Sequence, residues 1–237
     1  SLQENNNPLY SNFINYDLLS NKKILDIACG TGVLTVEFSK IGCKTFAIDI
    51  TPRAVSATKK NLNLRNLSGN ISEMDAQNMS FESNTFDFVN AHGCLMHMPK
   101  INQAIKEIFR VLKNDSYVCA WMYHKGWYFW FGIIFLRGIC KGMLLKYRFN
   151  IKKLTSRYSD GLKKGGNPFT IFQSKSEAVQ RFNDAGFREV HSKVIFNQNE
   201  FLVFPSQKIS FGKFIPLNIQ KYLSRFIGLG IIIIAKK

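Results

Sequence analysis

A chain of 237 residues, 46% of them hydrophobic, carries enough apolar material for one α/β domain with an insertion, which excludes global disorder. Its formal charge of +16 suits an acidic partner (nucleic acid, an anionic membrane surface or an acidic substrate), or simply reflects a basic proteome. Cys29, Cys43, Cys94, Cys119 and Cys140 are odd in number and form no C-x-x-C pair, so neither a zinc site nor a disulfide framework is indicated, and no metal is expected. Residues 1–22 are Asn-rich with scattered aromatics, Tyr16 among them, and suit either a lead-in that folds over a ligand or a leading helix. Ser1–Pro8 is polar and does not resemble a signal peptide. A strand then enters a Gly30-Thr31-Gly32 turn, and Val33–Ile41 leaves it as a helix closed by Gly42. Lys44–Asp49 is a second strand ending in an acid. Thr51-Pro52 supplies a capping hydroxyl and a first-turn proline for a helix to about Arg65. Strands follow at about Asn70–Met74 and Phe86–Ala91, then a periodic helix Ile101–Leu112 and a strand Tyr117–Tyr123. Alternation of this kind predicts a parallel, doubly wound sheet.

The regular alternation stops at His124. Residues 124–173 hold an aromatic block (Trp127 to Phe131), several glycines and a basic stretch, with nine Lys/Arg against one acid, Asp160, between Arg137 and Lys164. Ser174 and Glu177 then form a capping box for a helix ending at Gly186. Strands at about Phe187–Phe196 and Leu229–Ala235 complete the chain. The most apolar runs, Trp127–Leu136 and Phe226–Ala235, are ten residues each, against about 20 for a membrane-spanning helix.

The chemistry concentrates at the glycine turn. Strand, Gly-x-Gly turn and helix present backbone N–H groups and a positive helix end to a nucleotide-like ligand. One glycine tolerates a positive φ, and the other lets a ligand approach the backbone. The dinucleotide fingerprint would need a third glycine where Thr35 stands.

The run Ile24 to Gly32 resembles the first motif of class I S-adenosylmethionine (SAM)-dependent methyltransferases. Asp49 matches the acid ending their second strand, and Asp75-Ala76 the pair flanking the adenine. Gly93 to Met98, followed by Glu107 to Lys113, is similar to the UbiE-like branch, also known as methyltransferase type 11. Ala28 replaces a common glycine, and Asn114-Asp115-Ser116 replaces the usual Pro-Gly-Gly turn. The resemblance covers about residues 20–123. It implies a doubly wound, mostly parallel, seven-stranded Rossmann-like sheet with an antiparallel last strand and an inserted lid. The whole is then a single domain, with its core at about 20–123 and 174–237 and the lid at about 124–173.

It also implies the site. Asp26, Ala28, Gly30, Gly32, Asp49, Ile50, Asp75, Ala76 and His92 are the expected SAM contacts. Asp49 would accept the two ribose hydroxyls, Asp26 would face the cationic methionine end, and Asp75 with the Ala76 N–H would meet the adenine. Asp26 and Asp75 also suit purely structural turns. His97, His124 and Tyr123 are the catalytic candidates, with His92 a further base near the strand ends; His97 equally suits a loop-holding histidine. Tyr16, Trp127, Tyr158 and Asp160 are candidate substrate contacts. The expected reaction is in-line SN2 transfer of the SAM methyl to a small-molecule or lipid- or glycan-linked acceptor, leaving S-adenosylhomocysteine. The alternatives are an RNA methyltransferase using the basic insertion and a non-catalytic, SAM-binding, membrane-peripheral protein. Nucleic acid is the weaker partner, because Asn90-Ala91-His92-Gly93 is not the Asn/Asp-Pro-Pro-Tyr/Phe of amino-methylating nucleic-acid enzymes. The expected location is cytoplasmic, with or without peripheral contact at the inner membrane face. The acceptor's identity and the oligomeric state are not legible.

Overall fold

A computed structural model describes residues 16–158, 168–195 and 228–237. A 3-10 turn, Tyr16–Leu19, leads into β1 (Lys23–Ile27), whose Ile24 and Leu25 are fully buried. Such near-continuous burial is what a parallel strand covered on both faces requires. β2 (Lys44–Asp49), β3 (Asn70–Glu73), β4 (Phe86–His92), β5 (Leu112–Tyr123), β6 (Arg188–Ile195) and β7 (Gly230–Lys236) complete one seven-stranded sheet in the order β3-β2-β1-β4-β5-β7-β6. β1 pairs in parallel with both β2 and β4, so the strand order reverses between β1 and β4. That switch point opens a crevice beyond the strands' carboxyl ends. β7 runs antiparallel to β5 and to β6, as expected for the last strand.

α1 (Val33–Lys40) and α2 (Pro52–Asn63) lie over the β1–β2 side, and α3 (Ile101–Val111) buries Ile101, Ala104, Ile105, Ile108 and Val111. That spacing makes one apolar stripe. It packs into a core shared with Val89, Ala91, Val118 and Ala120 of the central strands. α6 (Lys175–Asp184) carries the expected capping box: Ser174 Oγ accepts from the Glu177 N–H, and the Glu177 carboxylate accepts from the Ser174 N–H at 2.7 Å. Thr51 differs from the expectation. Its hydroxyl makes no cap bond and donates to Asp49 Oδ1 at 2.8 Å, because the carboxylate is the stronger acceptor within reach.

The fifth strand starts earlier than its apolar run suggests. Leu112 pairs with Phe86, and the register then shifts so that Tyr117 pairs with Phe88. Asp115 takes the bend at φ 59, a left-handed conformation that a short polar side chain tolerates, doing the work of the absent glycines.

The insertion after β5 is built from a π-helix (Tyr128–Cys140), α4 (Met143–Lys146) and α5 (Ile151–Tyr158). Phe129, Ile133 and Leu154 are its buried face, packed with Met96, Tyr123 and Phe172. Each such side chain contributes about 2 kcal/mol of burial free energy. Asp160 lies outside the described residues, as do the side chains of Tyr16 and Tyr158.

Candidate cofactor and active site

The loop after β1 alternates left-handed residues: Ala28 at φ 55, Gly30 at φ 58 and Gly32 at φ 78. Ala28 therefore carries backbone strain that the glycine common at this position would avoid. A Cβ on Gly30 would meet nothing within 4 Å, so open space lies above that backbone; one on Gly32 would come within 2.7 Å of Thr58. A cleft of about 340 Å³ sits here, lined by Asp26, Ala28, Gly30, Leu34 and His92 together with Cys29, Thr31 and Val33.

Asp49 ties the loop to β2. Its Oδ2 accepts from the Gly30 N–H at 3.1 Å, and its Oδ1 accepts from the Thr51 N–H and hydroxyl. Ile50, next along, is 63% exposed and offers an apolar platform beside that carboxylate. Asp75 Oδ1 accepts from the Gln77 N–H at 2.8 Å, and Ala76 is buried. The loop that follows is gripped from α3: Glu107 accepts from the Met79 N–H, and Arg110 donates to the carbonyls of Met79 and Phe81. The Arg110 guanidinium holds the Glu107 carboxyl below its usual range, so the brace stays charged near neutral pH.

Asp26 is only 3% exposed. Thr35 Oγ1 donates to it at 2.6 Å and Asn90 Nδ2 at 2.7 Å, while no Lys or Arg pairs with it among the described residues. Burial pushes its pKa up to about 6, against the pull of those two hydrogen bonds. A buried carboxylate facing a cleft with only neutral donors is a place for a cation. The linkage sign follows: the folded pKa of about 6 lies above the unfolded 3.8, so the free protein loses stability as pH rises from below 4 to above 6. The loss is about 3 kcal/mol. Asp26→Asn, melted at pH values on either side of that window, is expected to lose this slope; parallel pH dependences in the two proteins would refute it. A cationic ligand prefers the ionised form, so its affinity rises with pH through the same window.

His92 closes the other side of the cleft. Its ring stacks on Trp121 at 5.3 Å, and burial pushes its pKa down to about 4, so the imidazole is neutral near pH 7. The other candidates sit one layer out. Tyr123 is buried against Trp121 and Phe172. His97 Nδ1 lies 3.1 Å from the Phe169 carbonyl and 3.1 Å from Thr170 Oγ1. His124 Nδ1 lies 3.0 Å from the Gly228 carbonyl. None of the three lines the cleft. Trp127 stands at the start of the π-helix, 47% exposed.

Residues 25–120 match the family model described as a methyltransferase domain. The chain carries a SAM-dependent methyltransferase domain. It is similar to the ubiquinone/menaquinone biosynthesis C-methyltransferase UbiE of Rickettsia prowazekii, 28% identical over 73% of this chain and 71% of the relative. The sterol 4-C-methyltransferase strm-1 of Caenorhabditis elegans is 32% identical over 41% of this chain and 30% of its own length. Among solved structures, a SAM-dependent methyltransferase of Methanosarcina mazei superposes with a TM-score of 0.65 at 21% identity, covering 97% of both chains, which shows the shared fold. The residues of this methyltransferase fit SAM: the Asp26 carboxylate lacks a cationic partner among the described residues, the space over Gly30 admits a ligand, and the Asp49 carboxylate beside the exposed Ile50 offers acceptors next to an apolar side chain.

The methyltransferase also uses residues that the sequence does not single out. Thr35 and Asn90 hold Asp26, and Thr58 donates to the Gly30 carbonyl at 3.1 Å. Trp121 backs His92, and Gly230 makes room for it, since a Cβ at Gly230 would run into the indole. One signal was available for Asn90: a polar residue among apolar neighbours, near the end of the strand next to the one bearing Asp26.

Proposed function

We propose that this methyltransferase transfers the methyl of SAM to an apolar, small or lipid-linked acceptor presented at the insertion side of the cleft. The observation that carries this reading is the neutral His92 at the cleft wall, stacked on an aromatic layer that runs into the insertion. SAM supplies an activated methyl group for in-line displacement, so the protein's tasks are alignment, exclusion of water and handling of a proton. Asp26 orients the cationic end, Asp49 holds the ribose and the Gly30 loop, and Asp75 with Ala76 flanks the ring. His92, uncharged at neutral pH, accepts a hydrogen bond from the acceptor's reacting group and orients it toward the methyl, while burial, which disfavours the imidazolium, sends the released proton on to solvent. Tyr123, His97 and His124 keep the wall behind it in place. Relatives named for sterol and for ubiquinone/menaquinone biosynthesis favour an apolar acceptor.

Replacing His92 by Phe keeps a ring against Trp121 and removes the nitrogens. It is expected to lower kcat by about a hundredfold or more while SAM affinity changes less than about tenfold. Equal kcat in the two proteins would remove His92 from the reaction. The acceptor class is tested by incubating the protein and SAM carrying a labelled methyl with fractionated cell extract. Label is expected in the lipid or apolar small-molecule fraction, and label in RNA alone would overturn the acceptor assignment.

A further inference from the structure

The insertion has two apolar faces. Phe129, Ile133 and Leu154 are packed inward, yet Trp127 stacks on Phe131 at 4.5 Å and Phe131 on Phe135 at 5.5 Å along the outer side of the π-helix. A spacing of four residues, in a helix whose hydrogen bonds close at i+5, sets these rings in one column. Trp130 is 59% exposed and Phe135 45%, and Leu145 and Phe149 beyond the π-helix are about two-thirds exposed. Arg148 and Phe149 are both left-handed, at φ 49 and 57, in the turn that carries Phe149. Large apolar side chains at this density and exposure mark an interaction surface.

Charge identifies the partner. Residues 125–158 contain eight Lys/Arg and no Asp or Glu. Lys146, Arg148, Lys152 and Lys153 are exposed. Tryptophan and phenylalanine mixed with basic residues suit the boundary between acyl chains and anionic headgroups. Two copies of this face would oppose like charges. RNA, which would stack its bases on exposed rings, is the competing occupant that the test below separates. No helix among the described residues is long and apolar enough to cross a membrane.

We propose that this outer face, with Trp130, Phe135 and Phe149 as apolar anchors and Lys146, Arg148, Lys152 and Lys153 as the charge, docks the protein on an anionic phospholipid surface. The docked face is joined to the cleft by the ring series Phe129, Phe172, Tyr123, Trp121 and His92, each contact 5.0 to 5.3 Å between centroids. The docking itself rests on the surface and not on methyl transfer, so it is tested without turnover.

The full chain is sedimented with vesicles of phosphatidylcholine and phosphatidylglycerol in equal parts, and with phosphatidylcholine alone, while tryptophan emission is followed with brominated acyl chains. Pelleting with the anionic vesicles, weakened by salt, and quenching by bromine are expected. Lys152→Ala with Lys153→Ala lowers the partition constant about twenty-fivefold, about fivefold for each charge removed. Trp130→Ser with Phe135→Ser lowers it about tenfold or more. Both variants keep the parent's circular dichroism and melting temperature, because the altered side chains are exposed. Failure to pellet, pelleting that ignores either pair of substitutions, equal binding to uncharged vesicles, displacement from vesicles by an RNA oligonucleotide, or a dimer that Trp130→Ser dissociates would each overturn the proposal.

Discussion

Asp49→Ala lowers the affinity for SAM by at least about a hundredfold and leaves a folded protein. The carboxylate ends β2 beside the glycine loop and already accepts three hydrogen bonds, from the Gly30 N–H and from the N–H and hydroxyl of Thr51. By lone-pair count about one further acceptor site remains, so a ribose that uses both oxygens displaces the Thr51 hydroxyl. Hydrogen bonds to a charged group contribute about 1.5–3 kcal/mol each. Losing two of them costs roughly 3 kcal/mol or more, which is about two orders of magnitude in Kd. The alanine also releases Gly30, loosening the loop that frames the cleft. Asp49→Asn keeps one acceptor oxygen and is expected to fall between, at about a tenfold loss. Calorimetric titration reads both variants. Affinities within about threefold of the parent for Asp49→Ala would move the ribose elsewhere.

Gly32→Ala is the second large effect, and it acts through the fold of the loop. Gly32 holds φ 78 directly before α1, and a Cβ there would stand 2.7 Å from Thr58 Cγ2 and 2.9 Å from its Oγ1. Left-handed geometry costs an L-residue about 1–2 kcal/mol, and overpacking against a fully buried side chain costs about 1–3 more. The sum corresponds to a drop in Tm of roughly 10 °C, with SAM binding weakened because the Gly30 N–H no longer points correctly. Thr58 itself donates to the Gly30 carbonyl, so the clash is transmitted directly to the residue under the ligand. In a Thr58→Ala background the steric part is relieved and the backbone part stays. The penalty of Gly32→Ala is therefore expected to shrink by about half in that background. An unchanged penalty would mean that the conformational strain alone sets the cost.

Which parts of this site can be read from the chain follows from how locally each is encoded. Gly30, Gly32 and Asp49 lie at strand ends within about one β-α-β unit, so their spacing alone predicts that they meet. The parallel order follows from the same alternation, whereas the antiparallel last strand is implied only by the family resemblance. Asn90 is different. It meets Asp26 across 64 residues, and only the register of β4 against β1 decides that this residue, and not its neighbour, faces the carboxylate. Trp121 depends in the same way on Gly230, more than a hundred residues later. His97 is visible as a polar residue in a motif, but its partners Phe169 and Thr170 are more than 70 residues away. The sequence marks the position and cannot say what the ring touches. The insertion is legible as the point where alternation stops, at His124. Its π-helical winding is not, because Tyr128–Cys140 is apolar nearly all round and shows no single hydrophobic period. The bend at Asp115 is likewise hidden, since an aspartate takes a conformation there that the usual motif assigns to glycine.

The most direct test of the account is a calorimetric titration of SAM, and of S-adenosylhomocysteine, into the purified full chain near neutral pH. The buried Asp26 carboxylate, the Gly30 loop and Asp49 predict one site per chain for each ligand. They also predict that SAM binding strengthens as pH rises through about 6, where Asp26 ionises. At a hundredfold excess over Kd the bound ligand adds about 2.7 kcal/mol of stability, visible as a rise in Tm. No heat and no change in Tm with either ligand would contradict the assignment of this cleft to SAM.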